Sequence, residues 1–139
     1  IKNAKKVAMS LSDKFCVDRH KPHFLDLVKN KLDIIFANEE EILSLIDTRN
    51  LDDVITFGKE IGKILVVTRG KHGAISINKG KVTKININKG LEVIDLTGAG
   101  DLFAAGYLHG HINNFSEEKC LQNGTDMSSK IIQKIGARL

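Results

Sequence analysis

Three short, unbroken apolar runs constrain this chain more than any other feature. They are Val7–Leu11, Asp33–Ala37 and Ile64–Thr68. A strand with one wet face alternates apolar and polar residues. An unbroken run marks a strand buried on both faces, the condition of a parallel sheet covered by helices. The intervening stretches supply those helices. Phe24, Leu25, Leu27 and Val28 recur at helical spacing and predict a helix over 19–30. Asn38 opens a second helix carrying Ile42, Leu45 and Ile46, and a third spans Leu51 to Ile61.

The pattern then changes. Ala74–Asn78 alternates, Lys79-Gly80 turns, and Val82–Ile87 alternates again, which predicts a β-hairpin near a sheet edge. Glu92–Ile94 reads as a short strand leading into Asp95. Helices follow over Ala99–Ile112 and 117–135, the last stopped by Gly136. The predicted architecture is α/β: a doubly wound, mostly parallel sheet with covering helices and a hairpin near one edge. Residues 1–139 form a single, partial domain, since residues 1–6 read as the tail of something already under way.

Composition excludes several classes. No apolar run approaches the roughly 20 residues a membrane-spanning helix needs, and no signal or targeting motif is visible. A cytoplasmic protein without a membrane partner is expected. Cys16 and Cys120 have no metal-ligand spacing and read as two reduced thiols. The net charge of +4 comes from scattered lysines, and aromatics are only 5%. A nucleic-acid surface would want clustered Arg with stacking aromatics, so no nucleic-acid partner is expected. His20 and His23 share a helix face, but no third metal ligand accompanies them.

The unusual residues gather at the carboxyl ends of the predicted strands, where open α/β sheets bind ligands. The most informative run is Asp95-Leu-Thr-Gly-Ala-Gly-Asp101. Gly98, Ala99 and Gly100 strip bulk from a strand-to-helix junction, so backbone N–H groups can approach an oxyanion at a helix N-terminus. Asp101 falls in the first helical turn, where a carboxylate could accept a hydroxyl proton beside that cradle. A plain glycine turn before a dipole-matched Asp has the same sequence. Asn38-Glu-Glu-Glu41 reads first as a capping box, a reading compatible with a cation environment facing an anion site. Thr68-Arg-Gly-Lys-His-Gly73 allows a tight turn or the close approach of a ligand. Neither a P-loop run nor a dinucleotide-binding glycine run is present.

Together these segments resemble the ribokinase (phosphofructokinase-B-type) family of carbohydrate and nucleoside kinases. Asp95–Asp101 is similar to its C-terminal signature, Thr68–Gly73 to its nucleotide loop, and Asn38–Glu41 to its Asn-x-x-Glu motif, in the family's order and at comparable spacing. Ser10–His20 and Asp33–Glu39 look most like the adenosine-kinase-like branch.

The resemblance implies an ATP-dependent phosphotransferase acting on a hydroxyl of a small-molecule acceptor, an adenosine-like nucleoside first and another sugar second. It implies Asp101 as base and Gly98, Ala99 and Gly100 as the anion hole. Asn38 and Glu41 would serve phosphate and Mg²⁺, the latter through water. Thr68, Arg69 and Gly70 would contact the nucleotide, and Gly73 would shape the loop. Asp95 and Thr97 would bind a monovalent cation such as K⁺. Thr125 stands where relatives often carry Asn or His near the adenine, and Leu96 replaces a frequent Thr. Family members are much longer, and the part carrying their substrate site and lid has no counterpart here, so this isolated chain is expected to lack useful activity. A nucleotide-binding module or an inactive fragment is the alternative.

Overall fold

The computed structural model describes residues 3–138. Five strands form one sheet in the order β1-β2-β3-β4-β5. They are β1 (Ala8–Ser10), β2 (Ile34–Asn38), β3 (Ile64–Thr68), β4 (Ala74–Asn78) and β5 (Lys81–Ile85). The first three are parallel, with Ala8 opposite Ile34 and Ile34 opposite Ile64. The helices are α1 (Lys14–Asn30), α2 (Glu39–Leu45), α3 (Leu51–Ile61), α4 (Ala99–Ile112) and α5 (Glu117–Ile131). The α/β, mostly parallel architecture is as the apolar runs predict. The chain divides into two compact units, one running to Thr68 and including Ser76–Val82, the other comprising Arg69–Ile75 and everything from Thr83 onward.

In the first unit the unbroken runs become core. Ile34, Ile35, Phe36, Ala37, Ile64, Leu65, Val66 and Val67 are buried. Val54 of α3 and Ile42 and Leu45 of α2 are buried as well. α3 begins at an Asn50 cap, whose side chain accepts from Asp52 N–H, and ends at Gly62 in the left-handed conformation. The hairpin turn holds Lys79 and Gly80 at φ 48° and 86°. Two consecutive positive φ values match the right-handed twist of the flanking strands.

Four local expectations differ from the structure. β1 is an edge strand whose Ala8 is exposed and whose Met9 and Ser10 are only half-buried. Its residues were apolar enough to read as interior, but an edge strand has a neighbour on one side only. α1 starts at Lys14 rather than at residue 19, capped by Asp13, whose Oδ1 accepts from Phe15 N–H at 2.6 Å. Pro22 withdraws an N–H from the ladder, and the helix kinks at His20. Glu92–Ile94 is not a strand, because Ile94 N–H donates to the Ile132 carbonyl at 2.8 Å instead of to a sheet. α5 stops at Ile131, five residues before Gly136.

The second unit is organised by contact between α4 and α5. A Cβ at Gly106 would stand 2.5 Å from the Asn123 carbonyl oxygen, and one at Gly124 would stand 2.8 Å from the Phe103 carbonyl oxygen. The two helices therefore touch backbone to backbone, and side chains at these positions would wedge them apart. Tyr107, Leu121 and Ile131 are fully buried beside this contact, and the Tyr107 hydroxyl donates to Glu117 Oε2 at 2.8 Å. Gly106→Ala gains about 1 kcal/mol of helix propensity but overpacks a rigid backbone contact, which costs roughly 1–3 kcal/mol. A net loss in thermal midpoint is expected. Gly58→Ala meets only the Ile77 side chain, at 3.1 Å, and should leave the midpoint nearly unchanged or raised. Scanning calorimetry of the two variants distinguishes these outcomes.

Candidate active site

In the first unit, the ends of β2 and β3 bring three predicted residues together. Asn38 and Thr68 are register partners at the carboxyl ends of adjacent strands. Glu41 follows within the first turn of α2. Asn38 and Glu41 make a complete capping box. Glu41 N–H donates to Asn38 Oδ1 at 2.8 Å, and Asn38 N–H donates to Glu41 Oε2 at 2.9 Å. Asn38 Nδ2 also donates to Glu41 Oε1 at 3.0 Å, so both carboxylate oxygens are engaged.

Glu41 is only 5% exposed. Burial raises its pKa above the ordinary glutamate value. The Asn38 N–H bond opposes that shift, and the charges of Asp13 and Glu40 add to it. Each Glu41 oxygen thus accepts one hydrogen bond from Asn38. No group of three or more His, Cys, Asp or Glu among the described residues is arranged to hold a metal ion.

In the second unit, the loop after β3 is closed on itself. Arg69 N–H donates to the Gly73 carbonyl at 2.8 Å and Gly73 N–H to the Gly70 carbonyl at 3.1 Å, around a 3-10 turn over Gly70–His72. Gly73 adopts φ 80° and ψ −141°, a conformation that only glycine takes without strain, and a Cβ there would overlap the Ile85 carbonyl oxygen. Its identity is thus fixed by backbone geometry.

The glycine junction lies at the start of α4. Gly98 is the N-cap residue, left-handed at φ 79°, and gives no side-chain cap. Ala99 N–H donates to the Leu96 carbonyl at 3.2 Å and Leu102 N–H to the Gly98 carbonyl at 3.0 Å. Between them, no described residue accepts from the Gly100 or Asp101 N–H. Asp101 is the third helical residue and its side chain is exposed. The junction thus combines two N–H groups available to an external acceptor, the positive end of a helix, and a carboxylate.

Asp95 is in a different state from Asp101. Its Oδ1 accepts from Thr97 N–H at 2.9 Å and Thr97 Oγ at 2.7 Å, and its Oδ2 accepts from Gly136 N–H at 2.9 Å. The Thr97 hydroxyl, then the Gly136 and Thr97 amides, hold its pKa down to about 2. Three donors surround the carboxylate, which leaves about one of its four lone-pair sites unoccupied by them, while the Thr97 hydroxyl keeps its own lone pairs. Thr125 lies in α5 and is 6% exposed, an interior position beside Gly124. Sequence reasoning missed Ile132 and gave Gly136 only a helix-stop role. The positive φ of Gly136, 89°, was foreshadowed by its being glycine, but its partner was not.

A mostly parallel, five-stranded α/β sheet with covering helices places the chain in the class of ribokinase-like α/β folds. The chain belongs to the pfkB family of carbohydrate kinases, whose model matches residues 1–139. It is similar to a probable sugar kinase from Rhizobium etli, with 39% identity and a TM-score of 0.93 over 99% of this chain and 42% of that one. It is also similar to the adenosine kinase of Sinorhizobium meliloti, with 35% identity and a TM-score of 0.92 over 96% of this chain and 41% of that one. The adenosine kinase of Dictyostelium discoideum is 29% identical over 97% of this chain and 43% of its own length. The chain thus spans about two fifths of the relatives it matches.

The Asp95 bonds predict an acid-range signature. The folded-state pKa lies below the ordinary value of 3.8. The stability it contributes is therefore full above that value and is lost as pH falls toward about 2. The difference in thermal midpoint between the wild type and Asp95→Asn should be largest at pH 5 and above and should shrink toward pH 2. A constant difference across that range would contradict the assignment.

Proposed function

We propose that the protein carrying this chain transfers the γ-phosphoryl group of ATP to a hydroxyl of a nucleoside or sugar, with Asp101 as general base. The observation that supports this reading is the start of α4, where the Gly100 and Asp101 N–H groups have no acceptor, and the Asp101 carboxylate no donor, among the described residues. A site that only bound anions would gain nothing from a carboxylate there.

The chemistry is as follows. The acceptor oxygen attacks the γ-phosphorus while its proton passes to the Asp101 carboxylate. The bond from the γ-phosphorus to the β,γ-bridging oxygen breaks, and ADP leaves with the electron pair. The amides and the helix end offset charge on the transferring oxygens without having to reorganise. Asn38, Thr68, Arg69 and Gly70 supply nucleotide contacts in this reading, with Gly73 shaping the loop and Thr125 near the adenine. Glu41 would orient Mg²⁺ through water, and the ion would offset charge on the nucleotide phosphates. No helix among the described residues is long and apolar enough to cross a membrane, and we place the enzyme in the cytoplasm.

The decisive experiment is Asp101→Asn in a protein of the relatives' length. Size and hydrogen bonding are kept and the proton acceptor is removed. kcat should fall on the order of 10²–10⁴-fold, while the nucleotide Kd changes little because the cradle is backbone. If Asp101 only complements the helix dipole, the variant should instead lose about 0.3–1 kcal/mol of stability and keep its turnover. Near wild-type turnover of a folded variant would defeat the mechanism.

For the acceptor, adenosine-like nucleosides are favoured over free sugars. The support is the likeness to the Sinorhizobium adenosine kinase and the motifs around Ser10–His20. The likeness to the Rhizobium probable sugar kinase supports the second reading. A panel of nucleosides, pentoses and hexoses with ATP and Mg²⁺ should give its highest kcat/KM with adenosine. A clear preference for a sugar would replace the acceptor and leave the phosphotransfer intact.

A further inference from the structure

The segment entering the glycine junction is fastened to the turn that follows α5, and the phosphotransfer chemistry above uses none of these fastenings. Ile94 and Asp95 N–H both donate to the Ile132 carbonyl, at 2.8 and 3.1 Å. Gly136 N–H donates to Asp95 Oδ2 at 2.9 Å. A Cβ at Gly98 would stand 3.0 Å from the Cβ of Ala137, so the junction itself rests against the same turn. On its other oxygen, Asp95 holds Thr97 through both N–H and hydroxyl. One carboxylate thus ties together the residue just before Gly98 and a residue 41 positions away in sequence.

We propose that the turn over residues 132–137, acting through the Asp95 carboxylate, is a positioning clamp for the Gly98–Asp101 junction, and that Asp95 serves this clamp rather than a monovalent cation. The inference rests on the phosphotransfer reading of that junction. Gly98 holds a left-handed φ of 79°, and the direction of the Gly100 and Asp101 N–H groups follows from that bend. A displacement on the order of 1 Å in such a cradle can cost roughly 10²-fold in rate, so the bend must be held. Gly136 fits the role of fastener. Nothing lies within 4 Å of where its Cβ would be, so space does not demand glycine there. Its φ of 89° does, and that backbone conformation accompanies an N–H aimed at Asp95. Asp95, Thr97, Ile132 and Gly136 are positioning residues in this scheme, since none of them touches the reacting atoms.

The test is a double-mutant cycle on the complete protein, using Asp95→Asn, Gly136→Val and the pair, with ATP, Mg²⁺ and adenosine. Asn at position 95 can still accept from Thr97, but its amide cannot accept from Gly136. Val cannot take the Gly136 conformation without strain. Each single variant should lower kcat on the order of 10-fold with little change in nucleotide KM. The double variant should be no worse than the poorer single, because both break one link. Gly136→Asn, which tolerates positive φ, should recover most of the loss. Omitting or saturating potassium should change every variant by the same factor as the wild type.

Additive losses, unchanged kcat, or an Asp95→Asn defect that potassium alone removes would overturn the clamp, the last outcome in favour of a cation role. Amide hydrogen exchange separates this inference from the phosphotransfer reading. Asp95→Asn should speed exchange at Gly136, whose N–H loses its acceptor, without moving the thermal midpoint at neutral pH by more than a few degrees, whether or not any acceptor is phosphorylated. The same measurement decides the matter if Gly136→Val does not fold, and unchanged exchange at the Gly136 amide would reject the clamp. Absence of phosphorylation by the wild type, with exchange as expected, would remove the kinase reading alone.

Discussion

The backbones of α4 and α5 touch, and the second unit is built on that contact. Gly106 and Gly124 stand where any side chain would meet a carbonyl oxygen or a neighbouring Cα. Close approach lets Tyr107 and Leu121 disappear completely into the interior. It also fixes α4 as a rigid rod whose first turn carries Asp101. A base must be held to within a fraction of an ångström to be effective, and sites built on packed helices achieve this better than sites built on loops. Gly110 extends the same seam, with Cys120 Sγ 3.0 Å from where its Cβ would lie. Burial pushes the Cys120 thiol pKa up, and the Glu117 charge adds to that shift. This cysteine is therefore a packing residue and a poor nucleophile.

How far the fold was legible in the sequence depends on the range of the interactions that decide it. β3, α3, β4 and α4 were readable to the residue, because unbroken apolar runs, Gly62 and the glycine junction act locally. The first half of α1 was hidden by Pro22 and by the exposed Phe15 and Cys16, which weaken the apolar period. Glu92–Ile94 looked like a strand because β-branched residues favour extended backbone. The Ile94 N–H is taken by the carbonyl of Ile132, a partner that lies 38 residues away and that no local pattern announces.

The candidate site divides in the same way. Gly98, Ala99, Gly100 and Asp101 were visible because a helix start with small residues has a local signature. Asn38 and Glu41 were visible too, and the structure gives them a completed capping box. That box accounts for the burial of Glu41 without any ion. The raised pKa of Glu41 has a definite consequence for stability. Between its ordinary value of 4.5 and the higher folded value, the folded chain binds more protons than the unfolded one, so this residue favours folding less as pH rises through that window. Asp95 acts in the opposite sense and over a lower range. What the sequence could not show was the tie from Asp95 to Gly136, across 41 residues.

The proposed mechanism gives the proton to Asp101 and not to Asp95, six positions earlier, and the surroundings of the two carboxylates differ in the sense that proposal needs. Asp95 accepts three hydrogen bonds, which stabilise its charged form and hold its pKa near 2. A group with so little affinity for a proton is a weak base, because Brønsted behaviour ties the driving force for proton abstraction to the pKa of the acceptor. Protonating it would also break the ties that shape the loop. Asp101 has no side-chain donor among the described residues and projects from the first turn of α4 next to amides that lack acceptors. Hydrogen bonding alone thus distinguishes the two carboxylates of this short motif: Asp95 is tied into the loop, and Asp101 accepts no bond among the described residues, as the proposed base requires.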